Sequence, residues 1–140
     1  MNLAETHNKE GYFSPTEFEA ESEEKKARRL AAFRPLVYIC SPYRGNINEN
    51  IENARKYSRF AVVHHSIPIA PHLLFSQFLD DTLGEERQTA MFMNYVLLTK
   101  CVQLWVFGSS ISEGMAQEIQ WAKRRHMPIR YFTEEMEEVV

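Results

Sequence analysis

The chain has 140 residues, 44% of them hydrophobic, and a formal charge of -3. This length and apolar content suit one domain with a real core and speak against two. No basic stripe with interleaved aromatics is present for a nucleic-acid polymer, and no run nears the roughly eighteen apolar residues of a membrane span.

The charge is unevenly placed. Residues 1 to 34 carry seven acids and six bases, and residues 133 to 140 four acids and no base, leaving residues 35 to 132 with ten bases against eight acids. A mildly cationic body suits a small anionic ligand. Ser14-Pro15-Thr16-Glu17 reads as a helix start, with a serine cap, proline at the first position and a glutamate in the capping-box place. That helix is expected to run to about Phe33, where Arg34-Pro35 ends it. Residues 1 to 34 are thus expected as an N-terminal extension with one helix.

Leu36-Val37-Tyr38-Ile39-Cys40 is a short apolar run, the pattern of a strand buried on both faces of a parallel sheet. Ile47, Ile51, Ala54, Ser58 and Ala61 then recur at helical spacing and predict an apolar stripe on a helix from about 47 to 65. Ile67-Pro68-Ile69-Ala70 predicts a second strand, His72 to Leu79 a short helix, and Glu85 to Lys100 a longer one after a break at Gly84. Gln103-Leu104-Trp105-Val106-Phe107 predicts a third strand, 113 to 126 a helix burying Met115, Ile119 and Ala122, and Pro128 to Phe132 a fourth strand. Alternation of this kind implies right-handed crossovers. The expected fold is α/β, with a mainly parallel four- or five-stranded sheet covered by helices on both faces, Rossmann-like or flavodoxin-like, plus the extra N-terminal helix. The domain is expected over 35 to 132, followed by an acidic tail over 133 to 140.

Ligands in such sheets settle at the carboxyl ends of the strands, where loops meet helix amino termini. The first loop there, Ser41-Pro42-Tyr43-Arg44-Gly45, offers a hydroxyl, a guanidinium and a glycine ahead of a helix, either a cradle for an anion or a plain turn with a surface arginine. The second, Ser109-Ser110-Ile111-Ser112-Glu113-Gly114, offers hydroxyls that cap the next helix, bind an anion, or do both. Glu118 falls about 70° from that helix's buried stripe and is expected at the rim of the cleft. Pro71-His72 forms a third loop. His64, His65 and His72 are not spaced as metal ligands on one face, and Cys40 and Cys101 read as buried thiols in a reducing compartment. Phe75, Phe78, Phe92 and Trp121 read as core or subunit contacts.

The order of these features, Val37-Tyr38-Ile39-Cys40-Ser41-Pro42-Tyr43-Arg44-Gly45 and later Leu104-Trp105-Val106-Phe107-Gly108 followed by Ser112-Glu113-Gly114-Met115-Ala116-Gln117-Glu118, resembles the nucleoside 2-deoxyribosyltransferase-like superfamily. It is closest to that superfamily's small bacterial and phage branch of unknown function. The second motif is similar to that of 2′-deoxynucleoside 5′-monophosphate N-glycosidases. The resemblance implies that Glu118 is the nucleophile at the anomeric carbon, where an oxocarbenium-like transition state calls for a carboxylate. It further implies that Ser41, Arg44 and Ser112 hold a 5′-phosphate, that Tyr43 lies by the sugar or base, and that Gly45, His72, Ser109, Gly114 and Met115 complete the substrate site. Relatives usually carry an aspartate near the leaving base. Here Asn94 stands in its place, and an amide hydrogen-bonds a base but delivers no proton. Many relatives also have an acid where this chain has Val102. His72 or Asp81 would then supply the proton, or the protein binds a nucleotide without turnover, as a sensor or sequestering module. The expected activity is N-glycoside cleavage by hydrolysis or base exchange on a nucleotide or nucleoside, without metal or redox cofactor. The expected setting is a cytoplasmic homodimer or larger homo-oligomer, with no membrane or nucleic-acid polymer as partner.

Overall fold

A computed structural model describes residues 22–140, and the chain divides after Phe33. In the first unit, helix α1 (Glu23–Ala31) starts at Ser22, whose extended backbone lets its side chain accept from the Lys25 amide. The single helix expected from Ser14 therefore does not pass through Ser22, and the Ser14-Pro15-Thr16-Glu17 start lies outside the described residues. Two acids in the first turn and two arginines in the last complement the helix dipole.

The second unit, Arg34 to Val140, alternates strands with helices in the order β1 (Leu36–Cys40), α2 (Ile47–Val63), β2 (Ile67–Ile69), α3 (Pro71–Phe75), α4 (Gly84–Lys100), β3 (Gln103–Phe107), α5 (Glu113–Arg124), β4 (Ile129–Phe132) and β5 (Glu138–Val139). The five strands form one sheet ordered β2-β1-β3-β4-β5, parallel except for β5. This is the flavodoxin-like order, whose switch point falls between β1 and β3. The expected α/β class holds, and its uncertain fifth strand comes from the acidic tail: Glu138 pairs with Phe132 and Val139 with Tyr131, antiparallel to β4. Arg130 fastens that edge through two hydrogen bonds to Glu138, at 2.8 and 2.7 Å.

Alternation along β1 and β3 splits the core in two. Tyr38, Cys40, Leu104 and Val106 pack with Leu98 of α4 and with Met115 and Ala122 of α5. Val37, Ile39, Trp105 and Phe107 face the other way and meet Tyr57 and Ala61 of α2. Tyr57 stacks on Phe107 with ring centroids 4.3 Å apart. The stripe predicted for α2 is thus corrected: Ala54, Tyr57 and Ala61 are its buried residues, and Ile47 is exposed. An aromatic wall of Phe107, Phe132 and Phe60 on that side takes up Tyr57, which the apolar spacing did not include. Helix boundaries move slightly as well. The short helix expected from His72 to Leu79 is one turn that gives way to turns after Phe75, Gly84 opens α4 instead of breaking the chain before it, and α5 stops at Arg124 because His126 takes a positive φ of 55°.

Candidate active site

Strands β1 and β3 end side by side, and the loops that leave them carry both sequence motifs into one cavity of about 310 Å³. From the first loop come Ser41, Tyr43 and Arg44; from α3 and the turns after it His72, Phe75, Ser76, Leu79 and Asp81; from α4 Arg87, Ala90, Met91 and Asn94. The second loop and α5 add Ser112, Glu113, Gly114, Met115, Gln117, Glu118 and Trp121. This size lies at the lower end for small-ligand clefts.

Glu118 is half-buried beside the cavity, with its carboxyl turned back to β1. The reason is Tyr38, a fully buried strand residue whose hydroxyl donates to Glu118 Oε2. Burial pushes the Glu118 carboxyl up to about 7, while the Tyr38 hydroxyl and the Cys40 thiol act to lower it. Burial likewise raises Tyr38 well above the usual phenol range, and the neighbouring carboxylate adds to the effect, so the proton stays on the phenol. A carboxyl group poised near neutrality, with one oxygen fixed by a donor and a cavity beside it, has the reactivity required of a general base or a carboxylate nucleophile.

The first loop is braced from two sides. Asn50, on the first turns of α2, donates to the main-chain oxygens of Tyr43 and Arg44 at 3.0 and 2.8 Å. Gly45 closes the turn with φ of +93°, a conformation that any side chain would strain, although space for a Cβ is open. Gly45 shapes the loop and does not line the cavity. Arg44 Nε donates to Asp81 Oδ2 at 2.8 Å, and its Nη2 to the Asp81 carbonyl at 3.2 Å. Its charge is therefore already matched by a carboxylate. Ser41 lies 3.4 Å from His72 Nε2, and Tyr43 packs its ring 5.7 Å from that imidazole. Burial holds His72 down to about 4, so it is neutral at neutral pH and unsuited to donating a proton to a leaving base.

The second loop separates its serines. Ser112 caps α5 by accepting from the Met115 amide at 3.2 Å, and it also lines the cavity. Ser109 does not belong to the site: its amide and hydroxyl both bond Glu134 Oε1, at 3.1 and 3.2 Å. Gly114 lies at the cavity edge with nothing within 4 Å of a notional Cβ, and Met115 forms floor and core at once, with 1% exposure. Asn94 joins the cavity from α4, and its Oδ1 is a buried acceptor with no partner. Val102, exposed at the end of α4, takes no part.

Residue patterns left several members unsingled. Tyr38 was hidden inside a uniformly apolar run, Arg87 inside a surface-looking Glu-Glu-Arg cluster, and Phe75 and Trp121 read as packing residues although they line the cavity. A phenol in the middle of a β1 buried on both sides was the available clue, since a buried hydroxyl needs a partner.

A family model described as Domain of unknown function (DUF7768) matches residues 35–132. No curated protein matches the chain. Among solved structures, a 2-deoxyribosyltransferase from Bacillus psychrosaccharolyticus superposes with a TM-score of 0.60 at 14% identity, over 75% of this chain and 76% of that one. A 2-deoxyribosyltransferase from Leishmania mexicana does so with a TM-score of 0.53 at 13% identity, over 71% of this chain and 64% of that one. At these identities the likeness is one of fold.

Proposed function

The chain belongs, across residues 35–132, to the family described as Domain of unknown function (DUF7768), and from that footing we propose that it is an N-glycoside-cleaving enzyme acting on a nucleotide or nucleoside. The observation that carries this reading is Glu118: a half-buried carboxyl with a pKa near 7, gripped by Tyr38, beside a small-ligand cavity at the β1/β3 switch point. The fold shared with 2-deoxyribosyltransferases supports it.

In this reading Glu118 Oε attacks the anomeric carbon as the bond to the base breaks, giving a glycosyl ester that water or a second base then resolves. Tyr38 holds the other carboxylate oxygen and keeps the attacking one aimed at the sugar. Ser41, Tyr43, Arg44 and Ser112 surround the sugar and its 5′ substituent, and the α5 amino terminus favours an anion there. Asn94 meets the base. Water entering the site gives hydrolysis, and its exclusion gives base exchange.

The second reading, a nucleotide-binding module without turnover, is favoured by the amide at Asn94. Incubation of the purified chain with ribo- and deoxynucleotides, followed by measurement of released base, separates the two. Base release that falls at least about 10³-fold in Glu118→Gln is expected for the enzyme. Saturable binding with no release would establish the module. A homodimer completes the proposal.

A further inference from the structure

We propose that the base released here is a pyridinium, so that the substrate is a nicotinamide-type N-glycoside. This rests on the glycosidic reading above and narrows it.

When the bond to a neutral purine or pyrimidine breaks, its electron pair leaves an anion on the base unless an acid delivers a proton, a contribution of about 10² to 10⁴ in rate. Among the described residues lining the cavity, Asp81 is bound to Arg44, and His72 is a neutral imidazole. Arg44 and Arg87 donate hydrogen bonds but do not give up protons. Glu113, the first residue of α5, stands about 140° around that helix from Glu118. Asn94 offers an amide. Tyr43, the one phenol among the lining residues, is packed against His72 on the first loop. The cavity thus pairs a nucleophile with no free carboxylic acid or imidazolium placed at Asn94, where the base leaves.

A pyridinium glycoside needs none. As its C1′–N1 bond breaks, the electron pair passes to the ring nitrogen and cancels the positive charge, so nicotinamide departs neutral. Glu118 forms the new C–O bond to C1′, and water then displaces the carboxylate, yielding the free sugar, the regenerated carboxylate and one proton.

Asn94 supplies a positive reason as well. Its Oδ1 is buried without a donor, an unfavourable state unless a ligand supplies one. A carboxamide on the base presents the missing N–H to Oδ1 and a carbonyl to Nδ2, a two-bond match of amide to amide. Trp121 and Phe75 line the same cavity and suit a cationic ring.

The test compares kcat/KM for base release from nicotinamide mononucleotide, nicotinic acid mononucleotide and deoxyadenosine monophosphate, with wild type, Asn94→Ala, Asn94→Asp and Glu118→Gln. Nicotinamide release is expected to exceed adenine release by at least about 100-fold. Asn94→Ala is expected to cut the preference for the amide over the acid about tenfold. Asn94→Asp, which restores a carboxyl at that position, is expected to move the preference toward adenine by about 100-fold. Adenine released as fast as nicotinamide would overturn the pyridinium assignment and leave the glycosidase reading standing. A nicotinamide preference untouched by Glu118→Gln would support the pyridinium and overturn Glu118 as nucleophile. Binding of all three without release from any overturns both.

Discussion

At the scale of single residues the proposed chemistry rests on Glu118 and Tyr38. An acid whose folded pKa lies near 7 instead of 4.5 favours the protonated fold. Its stabilising effect is complete below about pH 4.5 and disappears as the pH rises through 7, a difference on the order of 3 kcal/mol. Glu118→Gln keeps the shape and an acceptor for Tyr38 but has no charge to bury. Chemical denaturation is therefore expected to find this variant level with wild type at pH 4 and about 3 kcal/mol more stable at pH 8. A variant less stable than wild type at both pH values would contradict the burial argument. The proposed catalysis would run the opposite way, because only the carboxylate could attack: kcat/KM is expected to rise through a single ionisation near pH 7. Tyr38→Phe removes a donor that lowers the Glu118 pKa, so that limb is expected to move up by about one pH unit, and a profile left in place would remove Tyr38 from the mechanism. Glu118 was legible only through its spacing from Ser112 and Gly114. Tyr38 was not, since a strand run conveys which residues are buried but not which one spends its hydroxyl on a residue eighty positions away.

Helix ends and strand ends turn those residues into a site. Ser112 has two demands on it, because its hydroxyl caps α5 while the same residue lines the cavity. Ser112→Ala is expected to cost about 1 kcal/mol of stability, and Ser112→Gly only a few tenths. Both variants remove the hydroxyl from any ligand, so if it also binds substrate their KM values rise together despite the unequal stabilities. Thermal melts alongside KM measurements check this, and a KM unchanged in both assigns the serine to the cap alone. Continuous apolar runs made β1 and β3 readable, and the stripe at helical spacing made α5 readable, because burial on a periodic face is written directly into residue order. The stripe on α2 misled where apolarity and burial part company: Ile47 is exposed at the helix start, while Tyr57 is inside. β5 escaped notice because two residues on a charged edge have no periodicity to read, and their place is fixed by pairing with β4 and by Arg130.

At the scale of the whole molecule, α4 is the element that its own chain does least to satisfy. Its apolar residues Met91, Phe92, Met93, Tyr95, Val96, Leu97 and Leu98 point in all directions, yet only Leu98 is buried. A helix apolar all round belongs inside something. Phe92, 67% exposed, stands at the midpoint of α4, with Val96 exposed one turn on, beside a hollow lined by Met91, Tyr95, Trp121, Arg124 and Arg125. The ends carry opposite charge, Glu85 and Glu86 in the first turn and Lys100 in the last. Two copies related by a two-fold axis at Phe92 would lay α4 against α4 antiparallel, with Phe92 on Phe92, Gln88 by Val96, and each Glu85 within a turn of the other copy's Lys100. Such a contact is self-complementary, as an isologous interface must be. Because Met91 and Trp121 line both the hollow and the candidate-site cavity, the contact would also steady the wall that presents Asn94. Sedimentation equilibrium is expected to show a dimer, and Phe92→Glu a monomer with an unchanged circular dichroism spectrum, since that side chain supports nothing in its own subunit. Lys100→Glu is expected to weaken the dimer by about 0.5 kcal/mol per contact, and Glu85→Lys in the same chain to restore it. A wild-type monomer at tens of micromolar, or a dimer indifferent to Phe92→Glu, would leave α4 without this partner.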